Sequence, residues 1–198
     1  VTALSAQSRE GQPTTSGELL VAAAERFGDR IALSFLPDPA RPDVSEDYSY
    51  RRLVDSIGRA ASWFRARGIN RGDVVAYALP NSAMTHIVLW GAEAAGTVMA
   101  INPALAAAQI IGLLKAVDAR LVVTTPALAA TLSGDGCAVE TVLVDDLAAG
   151  LERQPDGTAL LLEPKRDDLA SFFCTGGTTG APKVAMRTHD TETGNVQA

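Results

Sequence analysis

Apolar residues follow two alternating patterns along the chain, one with helical spacing and one of short apolar runs. The helical spacing is clearest at Leu19, Leu20, Ala23, Ala24 and Phe27, which recur every three or four residues. The pattern predicts helices over residues 15–28, 49–68, 83–96, 106–117 and 126–132. The short runs predict strands over residues 31–36, 48–50, 73–79, 97–101, 120–125, 139–144, 169–174 and 184–187.

Polar residues at the segment ends support the predicted helix starts. Thr15 and Glu18 have the spacing of a capping box, in which each side chain bonds the other residue's backbone N–H. Ser49 and Ser82 can accept hydrogen bonds from the first free N–H groups of the helices that follow them. Residues 147–168 are more polar and contain proline and glycine, so we predict a connector there and not a domain boundary.

The order of these segments predicts the fold class. Helices that alternate with short apolar strands are typical of an α/β fold with a largely parallel sheet flanked by helices on both faces. The chain has 198 residues, 47% hydrophobic and 20% charged, which is enough for one globular core. We expect an α/β body and connector in residues 1–168, and a strand, a loop, a second strand and the start of a helix in residues 169–198.

Charge and hydropathy argue against several classes of partner. The formal net charge is −6, and no cluster of Lys and Arg is present to neutralise consecutive phosphates, which argues against nucleic acid. The most apolar window, residues 83–101, contains His86 and Glu93 and is a poor membrane span. Two cysteines without a Cys/His cluster predict no metal site and fit a reducing compartment. Because the first residues also lack a secretory signal, we predict a cytoplasmic protein.

The segment that most clearly indicates a binding function follows the predicted strand at 169–174. Its sequence is Thr175-Gly176-Gly177-Thr178-Thr179-Gly180-Ala181-Pro182-Lys183. Glycines let the backbone turn so that several N–H groups point at one anion, threonine hydroxyls add donors, and the lysine supplies a positive charge. The segment is therefore predicted to be a phosphate-binding loop.

Other interpretations of the glycine-rich segments fit less well. The P-loop of nucleoside triphosphatases has Gly-Lys followed by Ser or Thr at a helix start, whereas two residues separate Gly180 from Lys183 here and a strand is predicted next. Residues 134–136 resemble the start of a dinucleotide fingerprint, but Val139 stands where the third glycine belongs. An ordinary glycine-rich hairpin is the structural alternative for the loop.

The loop closely resembles the signature of the adenylate-forming superfamily, which includes acyl-CoA synthetases, luciferases and peptide-synthetase adenylation domains. Segments at 25–30, 71–75, 79–82 and 101–103 fall in the family's order. The Asn-Pro turn at 102–103, followed by a helix and by the segment at 119–123, looks more like acyl-CoA synthetases than amino-acid adenylation domains. Two positions depart from the usual pattern: Gly176 replaces a common Ser, and Val184 replaces a common Gly.

The resemblance implies a fold and a reaction. The fold would be the N-terminal subdomain of the acyl-CoA synthetase-like fold, incomplete in this chain. In the reaction, a carboxylate attacks the α-phosphorus of Mg·ATP to give an acyl adenylate and pyrophosphate, and CoA then takes the acyl group, as in fatty-acid metabolism. The loop would hold the β- and γ-phosphates through hydroxyls, close backbone approach and the lysine charge. The implied ATP-binding residues are Thr175, Gly176, Gly177, Thr178, Thr179, Gly180 and Lys183.

Several family segments have no counterpart in residues 1–198: the adenine-binding segment, the magnesium-associated glutamate, the ribose-binding aspartate and the C-terminal catalytic lysine. The resemblance therefore implies no catalytic residue and no metal ligand here, an absent C-terminal domain, and a chain that is inactive alone. Expected partners are a small carboxylate, ATP, CoA and the rest of the ligase polypeptide. An apolar face left uncovered would favour homo-oligomers. The acid and the acceptor thiol stay open.

Two function classes compete with a ligase portion. One is a stand-alone binding or assembly module without catalysis, or half of a split ligase. The other is a nucleotide-binding protein of unrelated fold.

Four side chains outside the loop each have two possible interpretations. His86 is interpreted as packed or half-exposed and not as a base, and Cys174 as a buried thiol and not as a nucleophile. His189 either caps or packs the next helix or contacts substrate, and Trp90 belongs to the core or lines a pocket.

Overall fold

A six-stranded sheet forms the framework of the computed structural model, which describes residues 12–175 and 183–197. The helices are α1 (Ser16–Phe27), α2 (Tyr50–Ala66), α3 (Ala83–Ala95), α4 (Ala107–Ala116), α5 (Pro126–Gly134), α6 (Val144–Leu151) and α7 (His189–Gln197). The strands are β1 (Ile31–Phe35), β2 (Glu46–Ser49), β3 (Val74–Ala78), β4 (Thr97–Ala100), β5 (Ala119–Thr124), β6 (Glu140–Leu143), β7 (Leu169–Thr175) and β8 (Lys183–Thr188).

The strand order in the large sheet is β6-β5-β3-β4-β7-β8. The first five strands are parallel to their neighbours, whereas β8 pairs with β7 in antiparallel fashion. The strands β1 and β2 form a separate antiparallel pair. The predicted fold class, a largely parallel sheet flanked by helices, is confirmed.

Two apolar cores cover the two faces of the sheet. Along β3, Val75 belongs to the core that contains α2, α3 and α6, whereas its neighbours Val74 and Ala76 belong to the core beneath α4. This alternation follows from the two-residue period of a strand. Phe64 of α2 and Leu114 of α4 are fully buried on opposite faces. A sheet buried on both faces explains why β3 is entirely buried and reads as a continuous apolar run.

The predicted helix caps are present. The backbone N–H of Glu18 donates to Thr15 Oγ1 at 3.1 Å, and the N–H of Thr15 donates to Glu18 Oε2 at 3.3 Å, which completes the capping box. Ser49 Oγ accepts from the N–H of Arg52 at 3.2 Å, and Ser82 caps α3 in the same way. Residue 50, predicted to end a strand, instead begins α2, because the predicted Ser49 cap starts the helix there and the strand ends at Ser49.

The segment predicted as a connector, residues 147–168, contains regular structure. Helix α6 extends into it and buries Leu147 and Leu151, and a 3₁₀ helix spans Thr158–Leu162. A Cβ at Gly58 of α2 would lie 2.7 Å from the backbone nitrogen of Thr158, so the 3₁₀ helix packs directly on the α2 backbone. Sequence reasoning missed this packing because it depends on a glycine far away in the chain.

Candidate functional site

The predicted phosphate loop lies between β7 and β8. Thr175 and Lys183 are register partners at the open end of this hairpin, so the two ends of the loop are adjacent. A strand follows Lys183, as predicted, whereas the lysine of a triphosphatase P-loop opens a helix. The side chains of Thr175 and Lys183, and the whole of Gly176, Gly177, Thr178, Thr179 and Gly180, lie outside the described residues. Their contact with phosphate stays a prediction.

The loop leaves the sheet at the edge where the parallel strands end. Ligands of open α/β sheets bind in crevices at this carboxyl edge. Side-chain hydrogen bonds hold the edge together: Thr124 Oγ1 donates to the carbonyl of Ala78 at 2.9 Å, and Thr85 Oγ1 donates to the carbonyl of Pro80 at 2.7 Å. The loop therefore starts from an edge of the sheet that side-chain hydrogen bonds stabilise.

Just before the loop, β7 presents a thiol and an aromatic ring. Cys174 Sγ lies 3.9 Å from the carbonyl oxygen of Ala100, and burial raises the pKa of the Cys174 thiol. A thiol held in its protonated form is a poor nucleophile, which supports the packing interpretation of Cys174. The guanidinium of Arg187 lies 4.7 Å from the centre of the Phe173 ring, so a cation–π contact joins β8 to β7.

Behind the hairpin, α7 meets α3 through a buried acid and a buried histidine. Glu93 is 3% exposed and His189 is 1% exposed. His189 Nδ1 lies 3.3 Å from Glu93 Oε1, yet that oxygen and both ring nitrogens lack a hydrogen-bond partner among the described residues. Buried polar atoms without a partner are rare and costly, so this pair is an unusual feature of the fold.

Glu192 joins the same region to two further elements. Its carboxylate accepts hydrogen bonds from Ser16 Oγ of α1, at 3.2 Å, and from Ser171 Oγ of β7. We refer to Ser16, Glu93, Ser171, His189 and Glu192 as the polar cluster. The cluster connects α1, α3, β7 and α7, and thus ties the hairpin to the body of the domain.

Burial dominates the electrostatics of the polar cluster. Burial, and after it the nearby charge of Glu192, raises the pKa of Glu93 to about 8. Burial also lowers the pKa of His189, against the opposing influence of the Glu192 charge. Both shifts favour the uncharged form, so at pH 7 Glu93 keeps its proton and His189 is neutral.

Two larger cavities adjoin the polar cluster. A polar cavity of about 500 Å³ lies at the edge where β4 and β7 begin, away from the loop, and its lining includes Arg71, Asp168 and His189. An apolar groove of about 410 Å³ lies between α1, α3 and the hairpin. Trp90, interpreted from the sequence as core or pocket wall, lines this groove together with Phe173.

The polar cluster was not identified from the sequence. Glu93 entered only as an argument against a membrane span, and a lone carboxylate in the most apolar window was the available signal. His189 is the first residue of α7 and is buried, which favours the packing interpretation. His86, predicted to be packed or half-exposed, is exposed because it lies on the outer side of α3.

Within the described ranges, 12–175 and 183–197, no helix is long and apolar enough to cross a membrane. The same ranges contain no group of three or more His, Cys, Asp or Glu side chains placed to hold a metal ion.

Comparisons with known proteins identify relatives of the whole arrangement. A family model described as AMP-binding enzyme matches residues 20–198. Marinolic acid–CoA ligase from Pseudoalteromonas sp. (strain SANK 73390) is 30% identical over 194 residues, which cover 88% of this chain and 29% of that protein. 4-Chlorobenzoate–CoA ligase from Arthrobacter sp. is 29% identical over 181 residues, 88% of this chain and 33% of that protein.

The solved structures show the same fold. The N-terminal domain of FACL13 from Mycobacterium tuberculosis superposes with a TM-score of 0.75 at 24% identity, over 88% of this chain and 44% of that one. The chain spans about a third of the length of the two curated relatives. The shared fold is thus the N-terminal part of a larger architecture.

Proposed function

Because the chain belongs to the family of AMP-binding enzymes, we propose that it is part of a ligase that activates a carboxylic acid with ATP. The carboxylate attacks the α-phosphorus of Mg·ATP and releases pyrophosphate, and the thiol of CoA then displaces AMP from the acyl adenylate. The relatives named above are CoA ligases, which supports CoA as the acceptor.

We assign residues 1–198 to a partial N-terminal domain. Residues 1–168 form the α/β body with its connector, and residues 169–198 carry the hairpin, the loop and the helix after it. The chain covers less than half of its structural neighbour, which supports a further part that would hold the adenine, the ribose and the catalytic lysine. Met186, 71% exposed on the edge strand β8, offers apolar surface to that part or to a second copy.

The observation that carries this proposal is the closure of the loop ends by Thr175 and Lys183 at the carboxyl edge of the sheet. In the proposed reaction, backbone N–H groups, threonine hydroxyls and Lys183 hold the β- and γ-phosphates, and the lysine charge stabilises the leaving pyrophosphate. Magnesium enters as part of the substrate Mg·ATP. The chain supplies binding but no catalytic residue, so we expect it to be inactive alone.

The acid remains a class and not a compound. Relatives are named for marinolic acid and 4-chlorobenzoate, and a 26% identical relative from Mycobacterium tuberculosis is named for medium- and long-chain fatty acids. These names support an organic acid as the substrate. We place the reaction in the cytoplasm, where ATP and CoA are available.

The test is ATP–pyrophosphate exchange by the protein that contains these residues at its natural length, with a panel of aliphatic and aromatic acids. We expect acid-dependent exchange, lowered roughly 100-fold or more by Lys183→Ala. Lys115→Ala is the matched control, because Lys115 is exposed on α4, and it should leave exchange unchanged.

Two outcomes would contradict the proposal. ATP–pyrophosphate exchange at the wild-type rate by Lys183→Ala would show that the lysine of the loop does not contribute to ATP binding. Absence of exchange with every acid would favour the binding or assembly module, and co-purification with a protein that supplies the missing segments would then identify a split ligase. Exchange by residues 1–198 alone would contradict the expected inactivity of the chain.

A further inference from the structure

The polar cluster encloses space for one small molecule. A cavity of about 10 Å³ is lined by Ser16, Glu93 and His189, together with apolar residues of α1 and α3. That volume corresponds to one water molecule, and a buried water needs at least two polar partners. Three atoms without a hydrogen-bond partner in the described part of the chain, Glu93 Oε1, His189 Nδ1 and His189 Nε2, belong to two of the lining residues.

The charged groups around the cluster decide how many protons it keeps. They are Glu18 from α1, Arg65 from α2, Arg71 from the loop before β3, Glu163 and Asp168 from the segment before β7, Arg187 from β8 and Glu192 from α7. Arg65 is paired with Glu163, and Arg71 is paired with Asp168. Arg187 stacks on Phe173, and Glu18 caps α1.

These pairings leave Glu192 as the negative charge that acts most directly on Glu93. Glu192 accepts hydrogen bonds from two serine hydroxyls and also contacts the carboxyl group of Glu93, so an ionised Glu93 would place a second negative charge directly beside it. Like charges in a site of low dielectric repel strongly, and a proton is the smallest group that removes the conflict.

We propose that Glu93 and His189, with a bridging water, form a buried proton-binding site that fastens α7 to α3. The segment α7 follows β8 directly, and β8 begins at Lys183. The occupied site therefore also positions the lysine-bearing strand of the hairpin against the body. Loss of the proton leaves the buried carboxylate of Glu93 facing the half-buried carboxylate of Glu192, and separation of α7 from α3 relieves their repulsion.

The pKa directions agree with this geometry. The site keeps one proton between the lowered pKa of His189 and the raised pKa of Glu93, which is about 8. The proton is therefore retained at neutral pH and lost as the pH rises through about 8. This inference does not depend on the proposed ligase activity.

The chain has two histidines, which makes the site directly observable by NMR. Imidazole signals would be recorded from pH 5 to 9 for the 198-residue chain, with the exposed His86 as the internal reference. We expect the His189 signals to change in a step near pH 8, and the step to be absent in Glu93→Gln. The same His189 step in Glu93→Gln would overturn the proposal.

Amide hydrogen exchange tests the fastening of α7. Exchange in α7 should rise roughly tenfold above the step in the wild type and stay constant in Glu93→Gln. Glu192→Gln is a second variant, because removal of its charge should move the step to lower pH. The proposed site would be contradicted if the His189 step had the same pH in Glu192→Gln as in the wild type. It would also be contradicted if amide exchange in α7 of the wild type did not change across that step.

Discussion

The centre of the sheet and the attachment of the hairpin are built from different chemistry. Every residue of β3 is buried, and the side chains on either side of it are apolar and close-packed. Strand β7 of the hairpin pairs with β4 in the sheet, but helix α7 after the hairpin is held through the polar cluster, where Ser16, Glu93, Ser171 and His189 are all buried. One region depends on area removed from water, and the other depends on hydrogen bonds and a retained proton.

The difference indicates that the two regions respond differently to pH. Apolar burial hardly changes with pH, so the body should keep its structure over a wide range. The polar attachment of α7 depends on protonation, so α7 can loosen while the sheet remains folded. Such a pH-dependent attachment would allow the segment next to the phosphate loop to move when phosphate binds or leaves.

The largest expected effect is in the body, at Phe64. This side chain is fully buried and packs edge-on against Trp63, with ring centres 5.3 Å apart. Phe64→Ala should lower the free energy of unfolding by about 3–5 kcal/mol, equally at pH 6 and pH 8, as measured by urea unfolding. Lys115→Ala, on the exposed surface of α4, is the control and should change it by less than about 0.5 kcal/mol. A strongly pH-dependent loss for Phe64→Ala would remove the contrast between the two regions.

This contrast also separates what the sequence could and could not predict. The body follows from local signals: the Thr15 and Ser82 caps and the apolar run of β3 act within a few residues of themselves. The loop was accessible because its residues are contiguous. The pairing of Glu93 with His189 was not, because a polar side chain on an apolar helix does not reveal which distant element will supply its partner.

The second prediction concerns Glu93 and the pH dependence of stability. Above the ordinary pKa of 4.5 the unfolded chain loses this proton, whereas the folded chain keeps it up to about pH 8, so stability falls as the pH rises between these values. Glu93→Gln removes this loss, so its stability relative to the wild type should rise by on the order of 4 kcal/mol between pH 4 and pH 8. Glu25→Gln, on the exposed side of α1, is the matched control. Parallel stability curves for wild type and Glu93→Gln would refute the assignment.

The third prediction compares two helix caps, one in each region. Thr15 caps α1 beside the polar cluster, and Thr125 caps α5 in the body. Each substitution by Ala should cost about 1 kcal/mol in urea unfolding. Only Thr15→Ala should also raise amide exchange in α7, because Ser16, the next residue, donates to Glu192 of that helix. Equal exchange in both variants would show that α7 does not depend on α1.

The smallest expected effects come from two arginine–aspartate pairs. Arg51 and Asp29 are 71% and 88% exposed, so solvent screens their attraction and Arg51→Ala should change stability by less than about 0.5 kcal/mol. Asp168 is 16% exposed, pairs with Arg71 and accepts the N–H of Lys165 at 2.7 Å. Arg71→Ala should therefore cost more, up to about 1 kcal/mol.

Arg71→Ala has a second consequence that Arg51→Ala lacks. The charge of Arg71 contributes to the lowered pKa of His189, so its removal should let that pKa rise, as NMR titration of the imidazole would show. The variant would then bring His189 closer to its ordinary protonation while costing little stability. If both variants left the His189 titration unchanged, the polar cluster would be insulated from the surface, and its proton would respond to buried neighbours alone.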